Sequence, residues 1–138
     1  MANTLFAEKN KVAWIGVRPG VYGEAINAYQ RANNSTVVLY TVPAGKTLLL
    51  FHTALEVYLS AAPAADGDLI WQNAVPAMAY MLHSLSNGTT GTGINVASDR
   101  AIPLEIPAGH RVVVVSPTAG SYCRGHIEGL LVNPAENV

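Results

Sequence analysis

Charged side chains are scarce in this sequence. Only 12% of its 138 residues are Asp, Glu, Lys or Arg, whereas soluble domains average about 25%. A folded monomer of this length exposes roughly 7,000 Å² and therefore carries about one charge per 400 Å². Such a surface leaves apolar patches that favour association. We therefore expect partner protein to cover much of the surface and the chain to self-associate, most simply as a dimer. The alternative is a weakly charged monomer kept soluble by Asn, Ser and Thr.

Other features are also missing. The eight basic and nine acidic residues are spread evenly along the chain, so the basic patch of a nucleic-acid-binding protein is absent. No stretch approaches the 18 or more apolar residues of a membrane span, and residues 1–11 hold no apolar run of signal-peptide length. The single cysteine excludes an internal disulfide and is typical of synthesis in a reducing compartment. We expect a soluble chain with neither a nucleic acid nor a membrane as partner.

The clearest feature that the sequence does contain is a similarity between two of its own segments. Residues 39–50 align with residues 103–114, and each segment reads as strand, Pro-Ala-Gly, polar pair, strand. Proline presets φ at position i+1 of a tight turn, and we expect glycine to follow at i+3. Two copies are too few for a solenoid. They fit equivalent corners of a two-sheet sandwich.

Alternating apolar residues and β-branched content predict an all-β fold. In residues 46–60 the alternation places Leu49, Phe51, Thr53, Leu55, Val57 and Leu59 on one face, with His52, Ala54, Glu56 and Tyr58 on the other. Small-residue loops are expected at 61–68 and 86–93. The fold class is an antiparallel two-sheet, jelly-roll-like sandwich of about eight strands. Strands are predicted over residues 11–17, 36–42, 46–60, 69–73, 77–84, 94–97, 101–106, 111–116 and 121–132.

Residues 1–35 lack this regular alternation. We divide the chain into an N-terminal arm or edge segment, residues 1–35, and a β-sandwich domain, residues 36–138. Residues 23–33 could form one short helix. Large aromatic side chains are the usual anchors of protein interfaces. The segment could therefore be an arm that docks onto a neighbouring subunit rather than an edge of the same domain. The candidate partner-interface residues are Leu5, Phe6, Trp14, Ile15, Tyr22 and Tyr29.

The histidines lack the spacing of a metal site. They lie 31, 27 and 16 residues apart, with no His-x-His, Cys-x-x-Cys or His-Glu-x-x-His. A metal-binding cupin, an enzyme of related architecture, also needs His-x-His, and residues 107–110 imitate only its second element. We therefore expect no metal and no other cofactor. The histidines are interpreted as surface or interface residues: His52, His83, His110 and His126.

Other candidates for chemistry are weak. Cys123 points away from Arg124 and His126 if it lies on a strand, which indicates a buried, inert thiol, and no positioned base accompanies it. Asp66 and Asp68 flank a glycine as in a plain turn, because the following residues supply no further side-chain oxygen for calcium. We predict that the chain is not an enzyme and binds no small-molecule substrate.

Three segments carry a resemblance to a known family. They are residues 40–48 (Tyr-Thr-Val-Pro-Ala-Gly-Lys-Thr-Leu), 106–109 (Ile-Pro-Ala-Gly) and 127–132 (Ile-Glu-Gly-Leu-Leu-Val). Over residues 36–132 the chain resembles small structural proteins of tailed bacteriophages, most of all the capsid cement (decoration) proteins of short-tailed phages. The resemblance implies a jelly roll made in the host cytoplasm. It would sit on the exterior of the virion capsid and stabilise contacts between major capsid protein subunits. The alternative function is a phage tail or fibre receptor-binding β-sandwich.

Overall fold

Eight strands build the part of the chain that the computed structural model describes, residues 23–73 and 79–133. The strand predicted at residues 11–17 lies outside these ranges. Several predicted boundaries move: β4 starts earlier than expected, and the two short strands predicted at 94–97 and 101–106 are one strand. The strands are β1 (Gly23–Ala32), β2 (Ser35–Thr41), β3 (Thr47–Leu59), β4 (Ala65–Gln72), β5 (Ala79–Asn87), β6 (Thr92–Ile106), β7 (Arg111–Ser116) and β8 (Ser121–Val132).

The strands form two four-stranded antiparallel sheets. One sheet has the order β1-β8-β3-β6, and the other has the order β2-β7-β4-β5. Consecutive strands alternate between the sheets, except that β4 and β5 are neighbours in the second sheet, and this is the way that two Greek keys build a jelly roll. The predicted all-β, jelly-roll-like sandwich is confirmed. Among the described residues no helix could cross a membrane.

The helix predicted over residues 23–33 is wrong, because this segment is strand β1. All ten residues pair with β8, from Gly23 opposite Val132 to Ala32 opposite Cys123. Ile26 and Ala32 pack toward the core, which is a strand alternation that the helical spacing of Ile26 and Tyr29 obscured. Long-range pairing with β8 overrides the local pattern. The division of the chain at residue 35 stays a prediction, although β1 itself is the edge strand of the first sheet.

The two Pro-Ala-Gly segments are equivalent corners that lead from one sheet to the other. They contact each other directly: Val42 N donates to His110 O at 2.9 Å, and Gly109 N donates to Val42 O at 2.8 Å. The expected turn position was off by one residue. Proline is the first residue of each turn, and glycine is the third, with φ of +74° at Gly45 and +82° at Gly109. Only glycine adopts such angles at little cost.

A β-bulge changes the facing of β3. Its register against β6 and β8 shifts between Leu50 and His52. From Thr53 onward the predicted inward face is correct. Before the bulge it is wrong, because Leu48 and Leu50 are fully buried while Leu49 is only partly so. The extra residue at the bulge turns the preceding side chains to the opposite face.

The core lies between the sheets and is almost entirely aliphatic. Cys123 is fully buried within it, as predicted, and is free. Val112 and Val114 face this core, whereas Val113 is buried on the other side of β7. The largest fully buried side chains are Leu48, Leu50, Leu55, Leu59, Leu69, Ile106, Ile127, Val42, Val57, Val112, Val113 and Val114.

Candidate functional site

Of the six predicted interface residues, Tyr29 alone belongs to the described part of the chain. It lies on β1 with 54% of its surface exposed. Its hydroxyl accepts a hydrogen bond from Arg124 Nη1 at 3.3 Å, and Arg124 Nε also forms an ion pair with Glu56 at 2.7 Å. Tyr29 is therefore a surface residue held by β8 and available to a partner. The predicted anchors Leu5, Phe6, Trp14, Ile15 and Tyr22 lie outside the described residues.

Stacked aromatic rings adjoin Tyr29 on the outer face of the first sheet. Tyr58 on β3 stacks on Tyr122 on β8, with ring centroids 5.1 Å apart. The Arg31 guanidinium lies 3.9 Å from the centroid of the Tyr122 ring, a separation at which a cation is attracted to the ring face. Tyrosine and arginine are enriched among the residues that dominate binding energy. The strand alternation predicted the facing of Tyr58 correctly but did not indicate this cluster.

The outer face of the second sheet carries an apolar row that crosses all four strands. Val113 points outward because its neighbours Val112 and Val114 face the core. Its cross-strand partners share that face. The residues at the two ends of the row are exposed: Val38 on β2 by 38% and Met81 on β5 by 57%. It runs through Val38, Val113, Ile70 and Met81, which are paired in register from strand to strand.

Three connections meet at the end of the sandwich opposite the Pro-Ala-Gly corners. Ser60 N and Ala61 N both donate to Gly120 O, at 3.0 and 2.9 Å, and Thr90 Oγ1 donates to Ala62 O at 3.4 Å. The connections span residues 60–64, 88–91 and 117–120, and none contains an aromatic residue. These three connections themselves lack the side chains that usually stack on a sugar ring.

Two histidines and a glutamate meet on the outer face of the first sheet. His52, His126 and Glu128 each offer one ligand atom, and these atoms all lie within 4.8 Å of one another. His52 Nδ1 is 2.6 Å from Asp99 Oδ1, and His126 Nε2 is 2.9 Å from Asn27 Oδ1. Spacing along the sequence did not indicate this cluster, because pairing of β3 with β8 creates it. The expectation that the chain binds no metal stays a prediction. It was based on the wide spacing of the histidines along the sequence, and that spacing does not keep His52 and His126 apart in the fold.

The other two histidines lie away from this cluster, His83 on β5 and His110 just before β7. His110 Nδ1 accepts a hydrogen bond from Trp71 Nε1 at 3.0 Å. His83 Nε2 lies 2.8 Å from Thr53 Oγ1 on the opposite sheet. Burial lowers the pKa of His83, with smaller contributions in the same direction from Arg100 and His52, while a hydrogen bond to the Thr53 backbone carbonyl opposes them. His83 thus bridges the two sheets, and its lowered pKa favours the neutral imidazole.

Stability should fall as the pH drops below about 6.5, the ordinary pKa of histidine. Because the folded pKa of His83 is depressed, the unfolded chain binds more protons in this window. The contribution of His83 is therefore present above pH 6.5 and is lost as the pH falls toward the folded pKa. We expect melting temperatures measured from pH 7.5 to 5 to decline, and His83→Gln to flatten the decline. An unchanged slope in His83→Gln, with His110→Gln as the matched control, would contradict this role.

The structure gives Cys123, Asp66 and Asp68, the remaining candidates for chemistry, a structural explanation. Burial raises the pKa of the Cys123 thiol, which supports the interpretation of an inert group. Asp66 and Asp68 do not lie in a turn, because both belong to β4. They accept hydrogen bonds from Ser86 Oγ at 2.5 Å and Ser84 Oγ at 2.7 Å on β5. The strand places these carboxylates in a cross-strand ladder with the serines.

Comparisons with known proteins show likeness only at the level of the fold. No family model and no curated protein matches the chain. A chain of the cyanophage Pam1 capsid is 13% identical, with a TM-score of 0.48, covering 91% of this chain and 99% of that chain. Eiger TNF from S. frugiperda is also 13% identical, with a TM-score of 0.46 and coverage of 80% and 92%. A pentameric capsid protein from metagenomic phage sequences is 13% identical, with a TM-score of 0.43 and coverage of 93% and 71%. Likeness at this level does not distinguish the function of a TNF from that of a capsid protein.

Proposed function

We propose that this protein is a structural component of a phage particle, a cement protein that binds the outside of the capsid. In this proposal it stabilises contacts between major capsid protein subunits and has no catalytic activity. The sequence resemblance over residues 36–132 supports the proposal, as does the jelly-roll sandwich. The protein would be made in the host cytoplasm and added to the shell there.

The apolar row on the second sheet is the observation that carries this proposal. Val38, Ile70 and Met81 are not part of the core between the sheets, and Val38 and Met81 are exposed. An apolar strip across a whole sheet, on a chain with 12% charged residues, is a surface suited to burial against protein. We assign this row to the contact with the shell.

A cement protein works by mass action rather than by chemistry. It binds the assembled shell and not its separated subunits, so binding shifts the equilibrium toward the assembled state. Many copies that each add a few kcal/mol are sufficient to oppose internal pressure. The buried Cys123 thiol and the hydrogen-bonded Asp66 and Asp68 are consistent with a role that needs no reactive group.

Replacing Met81 with glutamate should weaken binding to purified, expanded capsid shells by at least about tenfold, because a carboxylate would be desolvated at the contact. The melting temperature should stay within about 2 °C of wild type, since Met81 is 57% exposed. Cosedimentation with shells measures the binding. Ile102→Glu is the matched control, because Ile102 is an 83% exposed aliphatic residue on the other sheet.

Two results would contradict this assignment. Unchanged binding by Met81→Glu would exclude the apolar row, and a loss confined to Ile102→Glu would move the contact to the first sheet. Sedimentation velocity at tens of micromolar tests the accompanying proposal of a dimer. Specific binding to host cells without binding to shells would favour the alternative, a tail or fibre receptor-binding domain.

A further inference from the structure

We propose that His52, His126 and Glu128 form a binding site for one divalent transition-metal ion of the zinc class. The site lies on the outer face of the β1-β8-β3-β6 sheet, across the joint between β3 and β8. It is independent of the proposed particle role and of the apolar row, which occupies the other sheet.

Strand register brings the three ligands together. His52 on β3 lies directly opposite Glu128 on β8, and His126 lies opposite Ala54, two residues further along β3. Cross-strand partners share a face, and residues two apart on one strand also share it. The three side chains therefore project from one patch of two adjacent, mutually hydrogen-bonded strands. A sheet of this kind holds ligands more precisely than a loop does.

The distances suit a small ion. In a tetrahedral zinc site with bonds of about 2.1 Å, two ligand atoms are about 3.4 Å apart. His126 Nε2 and Glu128 Oε2 are 3.4 Å apart, and all three ligand atoms lie within 4.8 Å of one another. The His52 ring centroid is 5.3 Å from that of His126, so the two imidazoles lie side by side.

Asp99 positions one of the ligands. Its carboxylate contacts His52 Nδ1 at 2.6 Å, which leaves Nε2 as the ring nitrogen for the ion. A carboxylate on the distal nitrogen is the usual partner of a metal-binding histidine, because it sets the tautomer and the ring orientation. Asp99 is thus a positioning residue. With Glu128 it also supplies two negative charges to balance a divalent cation.

The ligand types select the metal. Two imidazoles and one carboxylate suit zinc, nickel and copper, whereas calcium and magnesium prefer all-oxygen sites. Three protein ligands leave a fourth position for water or for a group from a neighbouring molecule. His126 Nε2 lies 2.9 Å from Asn27 Oδ1, so the ion would replace this contact with Asn27.

Zinc titration of the full-length protein tests this site. Calorimetry with zinc chloride should give one ion per chain, and zinc at a hundredfold excess over Kd should raise the melting temperature by roughly 5–10 °C. His52→Gln and His126→Gln, on different strands, should each weaken zinc binding by at least about tenfold. Asp99→Asn should weaken it by about tenfold while retaining the stoichiometry.

His110→Gln is the matched control, because His110 contacts Trp71 away from the cluster, and it should bind zinc as wild type does. Melting in the presence of a chelator establishes that each variant is folded. The proposal is overturned if the wild-type protein binds no stoichiometric zinc, or if both His52→Gln and His126→Gln keep the full zinc-dependent shift. Either result would leave His126 and Glu128 as an ordinary contact between neighbouring side chains of one strand, β8.

Discussion

Replacing Gly67 with valine should lower the free energy of unfolding by about 3 kcal/mol or more, at the upper end of the cost of overpacking a core. Gly67 lies on β4 and faces the inside of the sandwich. A Cβ added there would overlap Cys123 Sγ and come within 2.5 Å of Val57 Cγ2. Both atoms belong to fully buried side chains, so neither can swing into solvent. Thermal unfolding should show a drop of roughly 10 °C.

Gly88→Val is the matched control for this substitution. A Cβ at Gly88 would meet nothing within 4 Å, so the melting temperature should stay within about 2 °C of wild type. The double variant Gly67→Val with Cys123→Ala should recover part of the loss, because it removes the overlapping sulfur. Equal melting temperatures for Gly67→Val and Gly88→Val would show that β4 can move away from the opposite sheet.

Deleting residues 1–20 should leave the sandwich folded and weaken binding to capsid shells by at least about a hundredfold. The described strands β1 to β8 already complete two four-stranded sheets. The deletion removes the predicted anchors Leu5, Phe6, Trp14 and Ile15, and each such anchor contributes roughly 2 kcal/mol or more at the centre of an interface. Circular dichroism melting measures the fold, and cosedimentation with shells measures the binding.

Trp14→Ala separates the two interpretations of the arm. If Trp14 is an interface anchor, the variant keeps its melting temperature and loses affinity for shells. If Trp14 is a core residue, truncation costs about 3–5 kcal/mol of folding stability. A large drop in melting temperature with unchanged shell affinity would therefore show that the arm belongs to the domain.

The accuracy of the sequence-based prediction differed from strand to strand, for physical reasons. Strand β7 was predicted to the residue, because four consecutive valines have few alternatives to a buried strand. The facing of β3 was predicted correctly only from Thr53 onward, since nothing local marks the bulge at Phe51. Strand β1 was missed altogether, because residues 23–32 become a strand through their pairing with β8.

Candidate sites were harder to predict than strands. The interface role of Tyr29, which is exposed, stays a prediction, and the apolar row was not anticipated. Its members Val38, Ile70 and Met81 are ordinary strand residues in the sequence. They become a surface feature only when the registers of three strand pairs are known. Spacing along the chain therefore carries no signal for such a site.

By itself the sequence determined the all-β class, the two Pro-Ala-Gly corners and the buried state of Cys123, because alternation and turn chemistry act over a few neighbouring residues. Only the tertiary structure decided which strands are neighbours and in what register. That choice joined His52 to Glu128 and Val113 to Ile70. Register depends on how whole faces pack against the core, and a shift of one residue would send every side chain of a strand to the other face.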